Sequence, residues 1–197
     1  KMDVKLENII IPQGVSIEYG GVEDEAAESF RSLRKSMAIA FLIILILLSA
    51  QFRSLLQPLI IAFTIPLAFV GVVFGLMITR VPFGMMAFFG LVALTGVVVN
   101  DAIVLISHIN DLRMEGLPFT DAIIQGGKHR LRPIILTTVT TIAGMIPLTL
   151  DFVGGAEYWR PLSVSIIFGL GMATLLTLIV VPVLYSFFVR DKQPVSS

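Results

Sequence analysis

Cysteine is absent from the 197 residues, and charge is scarce. The first absence removes disulfide frameworks, thiolate metal sites and cysteine nucleophiles together. Fourteen Lys and Arg balance fourteen Asp and Glu, which makes 14% of the chain charged, where soluble domains carry about 25%. Zero net charge leaves no basic footprint for nucleic acid. Histidine occurs only at His108 and His129, too thin a supply for a multi-imidazole metal centre. HExxH, GxSxG, the Walker A sequence and a glycine-rich dinucleotide turn are missing. With one carboxylate in its apolar stretches the chain also lacks the pair that an intramembrane aspartyl protease needs. It does not read as an enzyme. Its first residues, "KMDVKLENIIIPQGVSIEYGG", hold no long apolar run of signal-peptide type, and the chain reads as a piece of a longer one.

What is present is apolar. Hydrophobic residues make up 56% of the chain, and five stretches approach the roughly 20 apolar helical residues that a hydrocarbon core requires. The expected fold class is an all-α membrane protein with five transmembrane helices and a short extracytoplasmic strand segment at the N-terminus. In that reading residues 1–22 are the strand stub, in which "GVSIEYGG" alternates and ends on a Gly-Gly turn signal. Residues 23–53 form a helix that opens on "EDEAAE", carries "RSLRK" later as a helix dipole favours, and continues into the first span, Ser36 to Phe52. Residues 54–109 hold the second span, Leu55 to Thr79, with Pro58 near its start and a kink expected at Pro66, and the third, Pro82 to about Ile109. Residues 110–132 are a connection with a short surface helix between Thr120 or Asp121 and Gly126-Gly127. Residues 133–189 hold the fourth span, Pro133 to Leu150, and the fifth, Leu162 to Val189, interrupted by Pro182; residues 190–197 are a tail.

The few cations set an orientation. Arg53, Arg113, Lys128, Arg130, Arg132, Arg190 and Lys192 fall on one side of the spans, against Arg80 and Arg160 on the other, apart from the N-terminal segment. By the positive-inside rule this puts the C-terminus in the cytosol and the first 30 or so residues outside, with Tyr158 and Trp159 at an outer interfacial belt. Gly71 with Gly75, and Gly169 with Ala173, are small-xxx-small pairs that expect close helix packing. Eight scattered methionines read as adaptable packing rather than soft-metal ligands.

The third span carries the one anomaly, "GVVVNDAIVLISHIN". At about 100° per residue, with Asn100 at zero, Asp101 lies at about 100°, Ser107 at about −20°, His108 at about 80° and Gly96 at about −40°. They share one side of the helix. An ionised carboxylate at bilayer depth costs at least a few kcal/mol on insertion scales, so Asp101 must face protein or water, find a partner or take a proton. Two readings follow. Asn100 and Asp101 are interhelical hydrogen-bond glue, although such bonds average under about 1 kcal/mol, or Asp101 exchanges a proton and helps relay ions. His108 is a solvated interfacial residue or a relay member. Thr137 and Thr141, four apart in "TTVTT", bond their own backbone unless that face meets Asn100. Arg130 and Arg132 are explained by snorkelling and by topology.

Five stretches, taken in order, carry a resemblance: "PQGVSIEYGGVEDEAAESFRSL", "LLSAQFRSLLQPLIIAFTIPLAFVG", "GLVALTGVVVNDAIVLI", "RLRPIILTTVTTIAGMIPL" and "GLGMATLLTLIVVPVLY". Together, over about residues 12–189, the chain resembles the C-terminal transmembrane half of resistance-nodulation-division (RND) multidrug efflux pumps of the hydrophobe/amphiphile type. The resemblance implies the last five of twelve transmembrane helices, preceded by the closing strand of a periplasmic porter domain. It implies drug/proton antiport in the bacterial inner membrane, with the proton as coupling ion and no other cofactor. The implied partners are the missing N-terminal half, two further copies in a homotrimer, a periplasmic adaptor, an outer-membrane channel and the lipid bilayer. By the same resemblance Asn100 stands where well-known drug pumps have a relay lysine, Asp101 stands where they have asparagine, and Arg130 and Thr137 match relay-associated residues. Ser107, His108 and Thr141 are candidates for water access to that relay. Asn100 supplies no cation, so the resemblance implies a variant relay, and the main aspartates belong to the absent half, so the fragment alone should not pump. Other classes stay open: a non-transporting membrane scaffold, or a lipid exporter or protein-translocation accessory of the same superfamily.

Overall fold

A computed structural model of the chain describes residues 22–150 and 156–189. The expected strand over residues 1–22 lies outside the described residues, apart from Val22, which already belongs to a helix. Six helices follow in order: α1 (Val22–Phe52), α2 (Leu56–Ala62), α3 (Thr64–Thr79), α4 (Met85–Met114), α5 (Phe119–Thr149) and α6 (Ala156–Phe188). There is no strand among the described residues. Five segments are long and apolar enough to cross a membrane: Ala27–Phe52, Leu56–Thr79, Met85–Met114, Phe119–Thr149 and Glu157–Phe188. The fold is all-α, as the hydropathy pattern requires. The chain divides after Lys35 into two units, and the packing below belongs to the second, residues 36–197.

The second span bends where its proline dictates. Pro66 has no N–H to offer the Ala62 carbonyl, and its ring crowds that carbonyl, so the regular ladder stops at Ala62 and resumes at Thr64. The Thr64 hydroxyl, fully buried, donates to the Ile61 carbonyl at 2.6 Å across the break. The kink therefore sits three residues ahead of the proline that causes it. At the other end α3 closes on Arg80 in the left-handed region (φ 55°), with the Val81 N–H donating to the Leu76 carbonyl at 3.0 Å.

α6 is the central helix and touches α2, α3, α4 and α5. Small residues make this possible. A methyl group on Gly71 would fall 2.6 Å from Met172 Cβ and 2.8 Å from the Phe168 carbonyl, and one on Gly75 would overlap the Phe168 side chain, so α3 lies on α6 nearly backbone to backbone. Gly169 and Ala173 are both buried on the facing side of α6. Two apolar clusters fill the bundle. One joins Ala68, Val72, Leu76, Leu91, Leu94, Val98, Val164 and Leu170; the other joins Leu48, Ile61, Ala102, Leu105, Ile109, Val181 and Tyr185. Large apolar side chains such as Ile46 and Leu47 on α1 and Leu136 and Val139 on α5 remain exposed, as a bilayer or further helices require.

The connection between the third and fourth spans differs from expectation. No separate surface helix ends at Gly126-Gly127. α4 runs on to Met114, the turn is short, with Gly116 at φ 90°, and α5 continues unbroken through Gly126, Gly127 and Pro133. Gly126 is not a stop signal but a contact: a methyl there would fall 2.6 Å from Ile109 Cγ1, so α5 crosses α4 at that point with no room for a side chain. Pro133 frees only the His129 carbonyl, which a transmembrane helix tolerates.

Candidate functional site

The core residues of α4, Leu91, Leu94, Val98, Ala102, Leu105 and Ile109, lie on the side of the helix opposite Asn100. At about 100° per residue they centre near 160° from it. Asn100 is exposed, as are Phe89, Val92, Ala93, Gly96 and Val97 along the same line. Asp101, at the margin of that line, and Ser107, within it, are half-buried. No charge or hydrogen bond from the described residues acts on Asp101. Asn100 and Gly96 thus face away from the bundle that these five spans build, and Asp101 lies at the boundary. A carboxylate beside an apolar surface with no partner among the described residues takes a proton or finds its partner elsewhere.

The other candidates are not brought to Asn100 and Asp101 by any hydrogen bond among the described residues. Arg130 is half-buried on α5, and its Nε is enclosed without an acceptor. Thr137 is exposed and donates to the Ile134 carbonyl at 2.8 Å; Thr141 donates to the Thr137 carbonyl at 2.8 Å. Both take the local backbone bonds expected of helix-internal threonines. Thr138, between them in sequence, is the one turned inward. Its hydroxyl shares a 2.8 Å hydrogen bond with that of Thr174 on α6. His108 Nε2 lies 3.2 Å from His129 Nδ1, so the two imidazoles meet across α4 and α5.

Four helices also share a polar cluster. Asn110 exchanges two hydrogen bonds with Gln57 on α2: its Nδ2 donates to Gln57 Oε1 at 2.9 Å, and Gln57 Nε2 donates back to Asn110 Oδ1 at 3.3 Å. The same Oδ1 accepts the Tyr185 hydroxyl of α6 at 2.6 Å, and Arg113 donates to that hydroxyl at 3.1 Å. Arg113 also lies 5.1 Å over the Phe119 ring, which stacks on Tyr185. Tyr185 is wholly buried and Gln57 is 8% exposed. Each buried polar atom finds a partner, which is the condition for tolerating such a cluster in an apolar bundle. The signal in the sequence was two polar residues close together at the end of the third span, Asn110 and Arg113.

Comparison with known proteins follows this geometry. The chain is 37% identical over 193 residues to the swarming motility protein SwrC of Bacillus subtilis (strain 168), covering 96% of this chain and 18% of that protein. It is 34% identical over 183 residues to the cobalt-zinc-cadmium resistance protein CzcA of Cupriavidus metallidurans, covering 93% of this chain and 17% of that protein. With the multidrug resistance protein MdtC of Proteus mirabilis the identity is 35% over 184 residues, covering 93% and 18%. A crystal structure of a heavy metal efflux pump superposes with a TM-score of 0.76 at 26% identity, covering 95% of this chain and 18% of that one. This chain therefore spans under a fifth of the length of these relatives. Their names divide among swarming motility, metal resistance and drug resistance, so the narrower hydrophobe/amphiphile type does not follow from them. Residues 1–189 match the AcrB/AcrD/AcrF family, and the chain belongs to that family of RND transporters as a membrane region.

Proposed function

We propose that the chain is the C-terminal membrane portion of a proton-driven exporter, and that Asn100 and Asp101 take part in its proton relay together with Arg130 and Thr137. The observation that carries this reading is the placement of Asp101, unpartnered at the margin of a polar stripe on the bare side of α4. A missing half that covers this side would supply the facing groups and the water path, with Ser107, His108 and Thr141 as candidates for water access. The proton is the coupling ion, and no other cofactor is invoked. The exporter sits in the inner membrane with its C-terminus in the cytosol, as seven cations against two, leaving the N-terminal segment aside, support. It works as a homotrimer with a periplasmic adaptor and an outer-membrane channel.

Proton uptake and substrate efflux by the full-length parent in vesicles test the proposal, wild type against Asp101→Asn at matched expression. Loss of both activities with assembly intact is expected. Normal coupled transport in Asp101→Asn would overturn the role of Asp101 and make this helix a structural one. The substrate class is tested in the same vesicles: the relatives named for cobalt, zinc and cadmium resistance favour divalent cations, and those named for multidrug resistance favour amphiphilic drugs.

A further inference from the structure

The two histidines of this sequence are 21 residues apart and meet. Their meeting follows from the close crossing at Gly126: His108 immediately precedes Ile109, and His129 stands one turn beyond the glycine that packs on Ile109. The facing atoms are His108 Nε2 and His129 Nδ1, 3.2 Å apart, with ring centroids 5.4 Å apart and planes inclined at 41°. That spacing suits a hydrogen bond. It also suits a shared cation: with metal–nitrogen bonds of about 2.0–2.1 Å, two imidazoles on one ion stand about 2.9 Å apart at a square-planar angle and about 3.4 Å apart at a tetrahedral one.

We propose that His108 Nε2 and His129 Nδ1 form a two-imidazole site for an exchangeable divalent cation of the copper(II), nickel or zinc class, with water completing the coordination. One N–H bond breaks and one forms on the same ring. In the metal-free pair one facing nitrogen carries a proton and the other accepts it. On binding, that proton is held on the far nitrogen of the same ring, so both facing nitrogens present lone pairs and the pair stays neutral. The surrounding charges compete. Asp111, one turn beyond His108, and Glu115, two turns beyond, favour a cation, and Arg130 opposes it; Lys128 and Arg132 flank His129 in sequence and add to the opposition. No third His, Asp or Glu converges on the pair to make a closed cage among the described residues. An open site bordered by opposing charges exchanges its ion, which suits sensing rather than storage. A bound ion cross-links α4, which carries Asn100 and Asp101, to α5, which carries Arg130 and Thr137, and so restrains the two helices against each other.

Copper(II) titration of the untagged full-length parent, followed by electron paramagnetic resonance, tests this without reference to transport. Wild type at about pH 8 should show nitrogen splitting from two imidazoles. His129→Gln changes an exposed side chain, and His108→Gln changes its partner; each should lose that two-nitrogen pattern and weaken binding by about tenfold or more. Wild type at low pH, where protons compete with the ion for the imidazole nitrogens, should weaken likewise. Nickel-dependent stabilisation against heat, present in wild type and absent in His129→Gln, gives a second reading. Identical spectra and stoichiometry in wild type and His129→Gln would overturn the site, as would binding indifferent to pH.

Discussion

The Tyr185 hydroxyl donates to Asn110 Oδ1 at 2.6 Å, joining α6 to α4 across 75 residues of sequence. Tyr185→Phe removes this bond and the acceptor that Arg113 uses, while the ring still stacks on Phe119. Interhelical hydrogen bonds in membranes average about 0.6 kcal/mol with a maximum near 1.7, and here one substitution removes two of them. A loss of about 1–2 kcal/mol is expected for the full-length parent. Thermal or denaturant unfolding in detergent measures it, and a double-mutant cycle with Gln57→Leu should show coupling because both side chains share Asn110.

Glycine substitutions should divide by what the new methyl meets. Gly75→Ala pushes into Phe168 and separates α3 from α6, with an expected cost of about 1–3 kcal/mol. Gly171→Ala meets only Ile142 Cδ1 at 3.8 Å, an ordinary contact, and should be neutral or stabilising by up to about 1 kcal/mol through helix propensity. Equal effects in the same unfolding assay would contradict the packing described for α3 on α6.

Adjacent threonines should separate structure from transport. Thr138→Val deletes the bond to Thr174 and leaves that hydroxyl without this partner, for a loss of about 0.5–1.5 kcal/mol. Thr137→Val deletes only a bond to its own helix and should leave stability unchanged while lowering coupled proton uptake. If Thr138→Val alone impaired uptake, the relay assignment of Thr137 would fail.

The bare side of α4 should be covered in the complete protein. Single spin labels at Ala93, Gly96 or Val97, in a parent otherwise free of cysteine, are expected to be shielded from oxygen dissolved in the bilayer, whereas a label at Leu136 on the exposed side of α5 is accessible to it. Oxygen access at Gly96 equal to that at Leu136 would mean that no other part of the protein covers this side.

Much of this was legible from residues alone. Five spans, the kink caused by Pro66 and the close contact at Gly71 and Gly75 all came from local chemistry: apolar length, a missing N–H and the absence of a side chain. The Asn100 stripe was also visible, because helical periodicity places residues relative to one another on a single helix. Gly126 was misread as a helix end, since a glycine that ends a helix and one that admits a neighbour look alike until the neighbour is present. Asn110 and Gln57 were passed over for the same reason, lying 53 residues apart with nothing local to pair them. The contact between His108 and His129 is likewise invisible in the sequence, since 21 residues separate them.

The sequence by itself determined how many times the chain is apolar for long enough to span a bilayer, where its helices bend and which residues share a side of each helix. These depend on hydropathy and backbone sterics, which act within a few residues. The tertiary structure alone decided how each helix is rotated against its neighbours. Rotation is set by which side chains interdigitate at a crossing, as Gly126 does on Ile109 and Gly71 on Met172, and it turns Thr138 inward, leaves Asn100 on the outside and brings His108 to His129.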